Sequence, residues 1–229
     1  MKKSIILLAY TLFIANAVFA QCTEMFDYRE GTTWEWSNYD KKGKLVGKTV
    51  QKIDQYNESA NGFTATMSTY HTDKKGEQTP TISMDMTCKD GTLYFDMKNF
   101  LPEEYLDGSD GQMNLEVNGD NLETPSNLQV GEALKDASVS MKIAGEDSPI
   151  GINMKVEIFN RKVEAKEHLE TPAGKFNCFV ITQTIKTKTI VSVEMNSKNW
   201  YSPGVGNVKS ETYRKGKLTG YTLLTLFNK

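Results

Sequence analysis

The chain reads as a mainly β protein, an antiparallel meander sheet with one or two short helical turns. Three observations predict this. Apolar residues recur with a period of two along much of the chain, glycine-bearing polar turns separate those runs, and helical periodicity is nearly absent.

Taken in order, Trp34 and Trp36 are two apart and share one face of a first strand. Phe63, Ala65, Met67 and Thr69 alternate in a second region, and Met84-Asp85-Met86-Thr87-Cys88 forms another strand. Met113, Leu115 and Val117 alternate with Asn114 and Glu116; Val139, Met141 and Ile143 alternate with Ser140 and Lys142. Ile152, Met154, Val156 and Ile158 alternate with Asn153, Lys155 and Glu157. Each pattern is that of a half-buried strand with one face on a core and the other in water. The turns share a chemistry. Asp40 to Lys44, Asp73 to Glu77, Lys89 to Gly91, Asn118 to Asp120, Pro172 to Lys175 and Arg214 to Lys217 each carry a glycine where a tight reversal needs positive φ. Short loops of this kind join antiparallel strands, not parallel ones.

Two segments have helical character, Pro102 to Leu106 and Gly131 to Lys135, each one or two turns long. Leu106 to Gly111 and Asn118 to Asn127 read as polar loops. No linker or shift in composition divides the chain after its leader, so residues 21–229 are expected to form one β-rich domain. A faint echo links Tyr39-Asp40-Lys41-Lys42-Gly43-Lys44-Leu45 to Tyr213-Arg214-Lys215-Gly216-Lys217-Leu218. With no fixed period between the copies, it reads as two exposed hairpin tips that share lysine and glycine, not as a repeat.

The first twenty residues have the form of an export signal. Lys2 and Lys3 precede an apolar stretch from Ile5 to Phe19, and Val18-Phe19-Ala20 supplies the small residues a signal peptidase reads. The mature protein is expected to begin at Gln21, in the periplasm or cell envelope, where disulfides persist. The apolar stretch is short for a membrane span, and no second one follows. Lipid attachment at Cys22 is the rival reading. It needs a small residue just before the cysteine, whereas Gln21 stands there and Ala20 lies one step early. Loss of Lys2 and Lys3 moves the formal net charge from −2 to −4, which favours neither a nucleic acid nor an anionic membrane.

Three cysteines leave one over after any single pairing. Phe176, Cys178 and Val180 share a face, so Cys178 reads as a small buried hydrophobe. Cys22 sits near a free end and Cys88 closes a strand before Lys89-Asp90-Gly91. The expected pair is therefore Cys22–Cys88. No CxxC spacing accompanies the two histidines, and neither a metal nor another cofactor is expected.

Catalytic signatures are missing from the sequence: no GxSxG, no HExxH and no P-loop. His71 lies between a strand pattern and a lysine-rich turn, and His168 lies in a charged, exposed strand, so both are expected to be solvated. Glu103/Glu104 and Asp107/Asp110 are close in sequence, but they cluster in a polar loop. Asp107 to Gly111 lacks the alternating ligands of an EF-hand. No catalytic residue is assigned. Methionine is the more suggestive feature. Met67, Met84, Met86, Met113, Met141 and Met154 fall on the apolar phase of strand segments. They either fill an ordinary core or, with Trp34 and Trp36, line a concave face for a hydrophobic small molecule or lipid.

Gly31-Thr32-Thr33-Trp34-Glu35-Trp36, Tyr39 to Lys44, Cys88 to Met97, Thr171 to Cys178 and Trp200 to Val208, in this order, resemble the TapB-like family of uncharacterised exported proteins from Bacteroidetes, related to a larger domain-of-unknown-function group. The likeness spans nearly the whole chain after the leader, through turn-and-strand motifs rather than catalytic ones. It implies a twisted antiparallel, partly open β-barrel in the cell envelope without an established activity. At the level of fold alone it implies a likeness to the half-barrels of periplasmic lipoprotein carriers. The expected function is a non-enzymatic envelope protein that binds an apolar or amphipathic ligand in its curved sheet. The alternative is an interaction module whose lysine-rich hairpin tips or sheet edge hold an envelope protein partner, with hydrolysis a distant third.

Overall fold

The period-two runs become strands of one antiparallel sheet. The structure, a computed structural model, describes residues 22–100, 113–145 and 152–229. In chain order the strands are β1 (Thr33–Asp40), β2 (Leu45–Ser59), β3 (Gly62–Asp73), β4 (Ile82–Lys89), β5 (Thr92–Asp96), β6 (Met113–Gly119) and β7 (Asn121–Pro125). There follow β8 (Ala137–Gly145), β9 (Ile152–Thr171), β10 (Gly174–Lys188), β11 (Ser192–Ser202), β12 (Gly206–Arg214) and β13 (Lys217–Asn228). They pair in the order β6-β8-β9-β10-β11-β12-β13-β1-β2-β3-β4-β5-β7. Apart from the jump from β13 back to β1, most neighbours are hairpins, as the turn chemistry predicts.

The sheet curls into a nearly closed barrel, and β6 and β7 explain how. They sit at opposite margins of the sheet, β6 on β8 and β7 on β5, yet Asp120 alone separates them in the chain. One bent strand thus bridges the two margins. The Asp120 N–H donates to the Ser138 carbonyl at 2.8 Å and holds the bend on β8. This corrects the expected turn at Asn118 to Asp120 and the expected polar loop from Asn118 to Asn127. The segment is polar because only its Leu122 and Thr124 side face the interior, while backbone pairing with β5 replaces the apolar signal.

The helical expectations are corrected too. Residues 131–135 make no helix. Gly131 N–H donates to Val163 O at 2.7 Å and Val163 N–H to Glu132 O at 2.9 Å, so the segment lies along β9. Pairing to a formed strand outweighs a single helical turn, whose nucleation is unfavourable. The segments 102–106 and 106–111 lie outside the described residues. Helical turns occur instead at Cys22–Met25 and, as a 3-10 turn, at Met97–Phe100.

Two apolar clusters fill the barrel. The larger gathers Phe26, Trp34, Trp36, Ile53, Phe63, Met67, Met86, Val180 and Leu224; the smaller holds Met97, Val139, Met141, Val156 and Ile158. Cys22 and Cys88 form a disulfide that ties the N-terminal segment across one end of the barrel. Gly62 makes room for it: a Cβ there would stand 2.0 Å from the Cys88 carbonyl oxygen and 3.1 Å from Cys22 Sγ. Cys178 is free and buried, and burial pushes its thiol up to about 11.

Candidate functional site, an apolar cavity in the barrel

Alternation places Trp34, Trp36 and Asn38 on the inner face of β1, opposite Gln51 and Thr49 of β2. Met67 of β3, Met86 of β4, Leu93 and Phe95 of β5 and Leu122 and Thr124 of β7 continue that face around the barrel. Together they surround a cavity of about 390 Å³, within the range of about 300–1,000 Å³ typical of small-molecule sites. The far wall is Tyr201 of β11, Val205 of the turn that follows it, and Gly206, Asn207 and Ser210 of β12.

The indoles are locked. Trp34 Nε1 donates to the Val205 carbonyl at 2.7 Å, and Trp36 Nε1 to the Asn207 carbonyl at 2.9 Å. Their ring planes lie 7° apart with centroids at 6.4 Å. Both indole donors are spent on the reversal between β11 and β12, so each ring offers the cavity its apolar face.

Phe26 and Tyr28, carried on the segment held by the disulfide, plug one end. Tyr28 meets Trp34 edge-on at 5.0 Å, and its hydroxyl packs against Gly206. Gly206 has φ +91°, and a Cβ there would stand 2.7 Å from the Tyr28 hydroxyl oxygen, so the plug fits only against glycine. Burial, and secondarily Tyr201, holds the Tyr28 phenol well above its ordinary range. Burial also raises the phenol of Tyr201, against the opposing pull of Arg161.

Asn207 contributes a polar feature. Asn199 Nδ2 donates to Ser197 Oγ, Ser210 Oγ donates to Asn199 Oδ1 at 2.8 Å, and Asn207 Nδ2 donates to Ser210 Oγ at 2.7 Å. That relay fixes the amide and leaves Asn207 Oδ1 a buried acceptor without a protein donor.

Behind the wall lies Arg161, 4% exposed. Its position follows from a β-bulge: Asn160 has φ +52°, and the register of β9 on β10 slips there, which turns Arg161 inward. Nη1 donates to the carbonyls of Glu123 at 2.8 Å and Lys135 at 2.7 Å, and Nη2 reaches Thr124 Oγ1 at 3.5 Å. Burial pulls the guanidinium pKa down, opposed by Tyr201, Asp136 and Glu123. Arg161 thereby ties β7 to β9 across the closure of the barrel.

Of the residues singled out in sequence, Trp34, Trp36, Met67 and Met86 share this cavity. Met84 is half-buried and packs against the larger cluster beside it. Met141 and Met154 belong to the smaller cluster, and Met113 lies in β6, whose first side chains are outside the described residues. Phe26, Tyr28, Tyr201, Asn207 and Arg161 had not been singled out. Tyr201 and Asn207 lie in the Trp200 to Val208 motif without having been given a place in the cavity, and Arg161 left a trace in phase: Ile158 and Val163 are both apolar yet five apart, a slip that marks the bulge. His71 lies within β3, not in a loop, with Nδ1 2.8 Å from Thr49 Oγ1, and His168 is exposed on β9. Among the described residues no cluster of acidic, histidine or cysteine side chains could hold a metal.

A nearly closed antiparallel barrel, plugged at one end and hollow beside its paired tryptophans, places the protein among the antiparallel β-barrels. The chain belongs to the DUF3108-like family, whose model matches residues 29–224. It is similar to a candidate exported protein with a YmcC-like fold from Bacteroides fragilis. Identity is 23% over 90% of this chain and 99% of that one, with a TM-score of 0.69. It is also similar to a candidate lipoprotein from Parabacteroides distasonis, at 26% identity over 91% of this chain and 100% of that one, with a TM-score of 0.70. No curated protein matches. Among the described residues no helix is long and apolar enough to cross a membrane.

Proposed function

We propose that the chain is an exported, single-domain protein of the cell envelope, akin to TapB-like proteins, that binds an apolar or amphipathic small molecule and is not an enzyme. The cavity between the tryptophan pair and Met67 and Met86 carries this reading. Its walls are mainly apolar, and Asn207 Oδ1 offers a hydrogen-bond donor on the ligand a buried partner. Export is supported by the leader, by the disulfide, and by the descriptions of the two similar structures. The disulfide also weighs against lipid attachment at Cys22, because that sulfur is already bonded.

Native mass spectrometry of delipidated protein exposed to an envelope lipid extract tests the proposal. A one-to-one adduct is expected from the wild type and not from Met86→Trp, which fills the cavity. Wild-type protein that takes up nothing from the extract would refute it.

A further inference from the structure

The two lysine-glycine tips that echo each other in sequence stand side by side in space. β13 pairs with β1, Tyr39 stacks on Tyr221 at 4.9 Å, and the tips of β1–β2 and β12–β13 flank one shallow depression. Lys41, Lys42, Lys44, Arg214, Lys215 and Lys217 belong to those tips, against a single acid, Asp40. Asp40 Oδ1 is occupied by the backbone N–H groups of Lys42 and Lys44, at 2.8 and 2.9 Å. None of the six cations makes an ion pair among the described residues, whereas lysines on the barrel wall, such as Lys48, Lys135 and Lys155, are paired with carboxylates.

The antiparallel order puts a third turn at this same end. Between β10 and β11 the chain reverses at Thr189-Ile190-Val191, just beyond Lys186 and Lys188. Ile190 is 102% exposed and Val191 67% exposed. The β3–β4 connection, also at this end, is balanced, with Lys74 and Lys75 against Asp73 and Glu77.

From this juxtaposition we propose that the end of the barrel formed by the β1–β2, β10–β11 and β12–β13 turns is a docking surface for an anionic lipid bilayer. Unpaired cations on two adjoining tips, with an exposed aliphatic turn at the same end of the barrel, are complementary to such a surface: the lysines meet the phosphate plane and Ile190 and Val191 enter the headgroup region. An acidic protein would satisfy the charge but not the aliphatic tip. The surface lies opposite the end plugged by Phe26 and Tyr28. Asn38, Thr49, Ser210 and Thr222, on the cavity's side nearest the tips, would thus face the bilayer. The proposal stands whether or not the cavity takes a ligand.

Vesicle flotation of the purified protein tests it, using phosphatidylcholine vesicles with and without about 30% phosphatidylglycerol, at low and high salt. Binding is expected only with phosphatidylglycerol, falling tenfold or more at high salt. Lys41→Glu with Lys215→Glu is expected to cost at least about 25-fold, from about fivefold for each lysine lost. Ile190→Cys carrying a polarity-sensitive dye is expected to shift to the blue on those vesicles. These side chains are exposed, so thermal unfolding reports that the variants remain folded. Equal binding to both vesicle types, binding indifferent to the charge reversals, or a dye that stays in water overturns the proposal.

Discussion

Replacing Cys22 and Cys88 together by alanine tests how the barrel end is held. The disulfide closes a loop of 66 residues. In the chain-entropy account, releasing a loop of that size stabilises the unfolded state by about 4 kcal/mol. In a chain of this length each 1 kcal/mol moves the midpoint about 2–4 °C, so the fall should be about 8–16 °C. The folded state should change little. Met25 and Phe26 are 1% exposed, and the Gly204 N–H donates to the Met25 carbonyl at 2.9 Å, so the plug has contacts of its own. Scanning calorimetry of the oxidised wild type and the double variant gives the shift, and near-ultraviolet circular dichroism at 25 °C reports the packing of Tyr28 against Trp34. A drop below 4 °C refutes the loop-entropy reasoning. So does loss of the aromatic signal at 25 °C, because the disulfide would then be holding the plug in the folded state.

Arg161→Met should cost about 3 kcal/mol in urea unfolding, because the Glu123 and Lys135 carbonyls lose a buried charged donor. Gly206→Ala should destabilise by about 1–3 kcal/mol, and Tyr28→Phe in the same chain should return the steric part, as a double-mutant cycle of stabilities would show. The Cys178 thiol, pushed up to about 11 by burial, should resist iodoacetamide at pH 8 in the folded protein and react once in urea, counted by mass. Glu167 is held below the ordinary carboxylate range, first by the Trp200 Nε1 donor at 2.7 Å and then by Lys198. Its folded pKa lies below the unfolded one, so its stabilisation is present above the ordinary glutamate range, near 4.3, and is lost as the pH falls through the folded value. Glu167→Gln should therefore flatten the acid limb of the melting profile.

The residues that betrayed the fold did so through period and turn chemistry. Val156 and Ile158, like Val139 and Met141, alternate with polar neighbours because one face is buried, and the glycines at 43, 91 and 216 sit at positive φ in hairpins. β7 was hidden because Asn121-Leu122-Glu123-Thr124-Pro125 is polar and owes its conformation to β5, which sequence does not place beside it. A minor part of the cavity was visible, for the same reason that its strands were: Trp34, Trp36, Met67 and Met86 carry the inward phase. The phase cannot say which of two cores along one sheet a residue enters, so Met141 and Met154 share the pattern and lie in the other. Tyr28 was hidden because a plug, not a periodic strand, delivers it, and Tyr201 and Asn207 because they pair across β11 and β12 where a register shift after Trp200 breaks the alternation.

The basic end of the barrel illustrates how topology converts a modest net charge into a directed one. In a meander, alternate turns emerge at opposite ends, so charge in every second turn accumulates on one side. The turns at the plugged end are nearly free of cations: Ser59-Ala60-Asn61-Gly62 between β2 and β3, Thr171-Pro172-Ala173-Gly174 between β9 and β10, and Ser202-Pro203-Gly204-Val205 between β11 and β12. Lys89-Asp90 and Lys175 interrupt them, and both are balanced, Lys175 by Glu170 at 3.8 Å. The turns of the other parity hold Lys41, Lys42, Lys44, Arg214, Lys215 and Lys217. A formal net charge of −2 for the chain averages over that asymmetry. Whole-chain charge therefore argues against an anionic partner, while the same lysines sorted by the parity of their turns argue for one. The bilayer prediction turns on that distinction: moving Lys41 and Lys215 into the 60–61 and 172–173 turns would preserve net charge and fold, and should abolish vesicle binding.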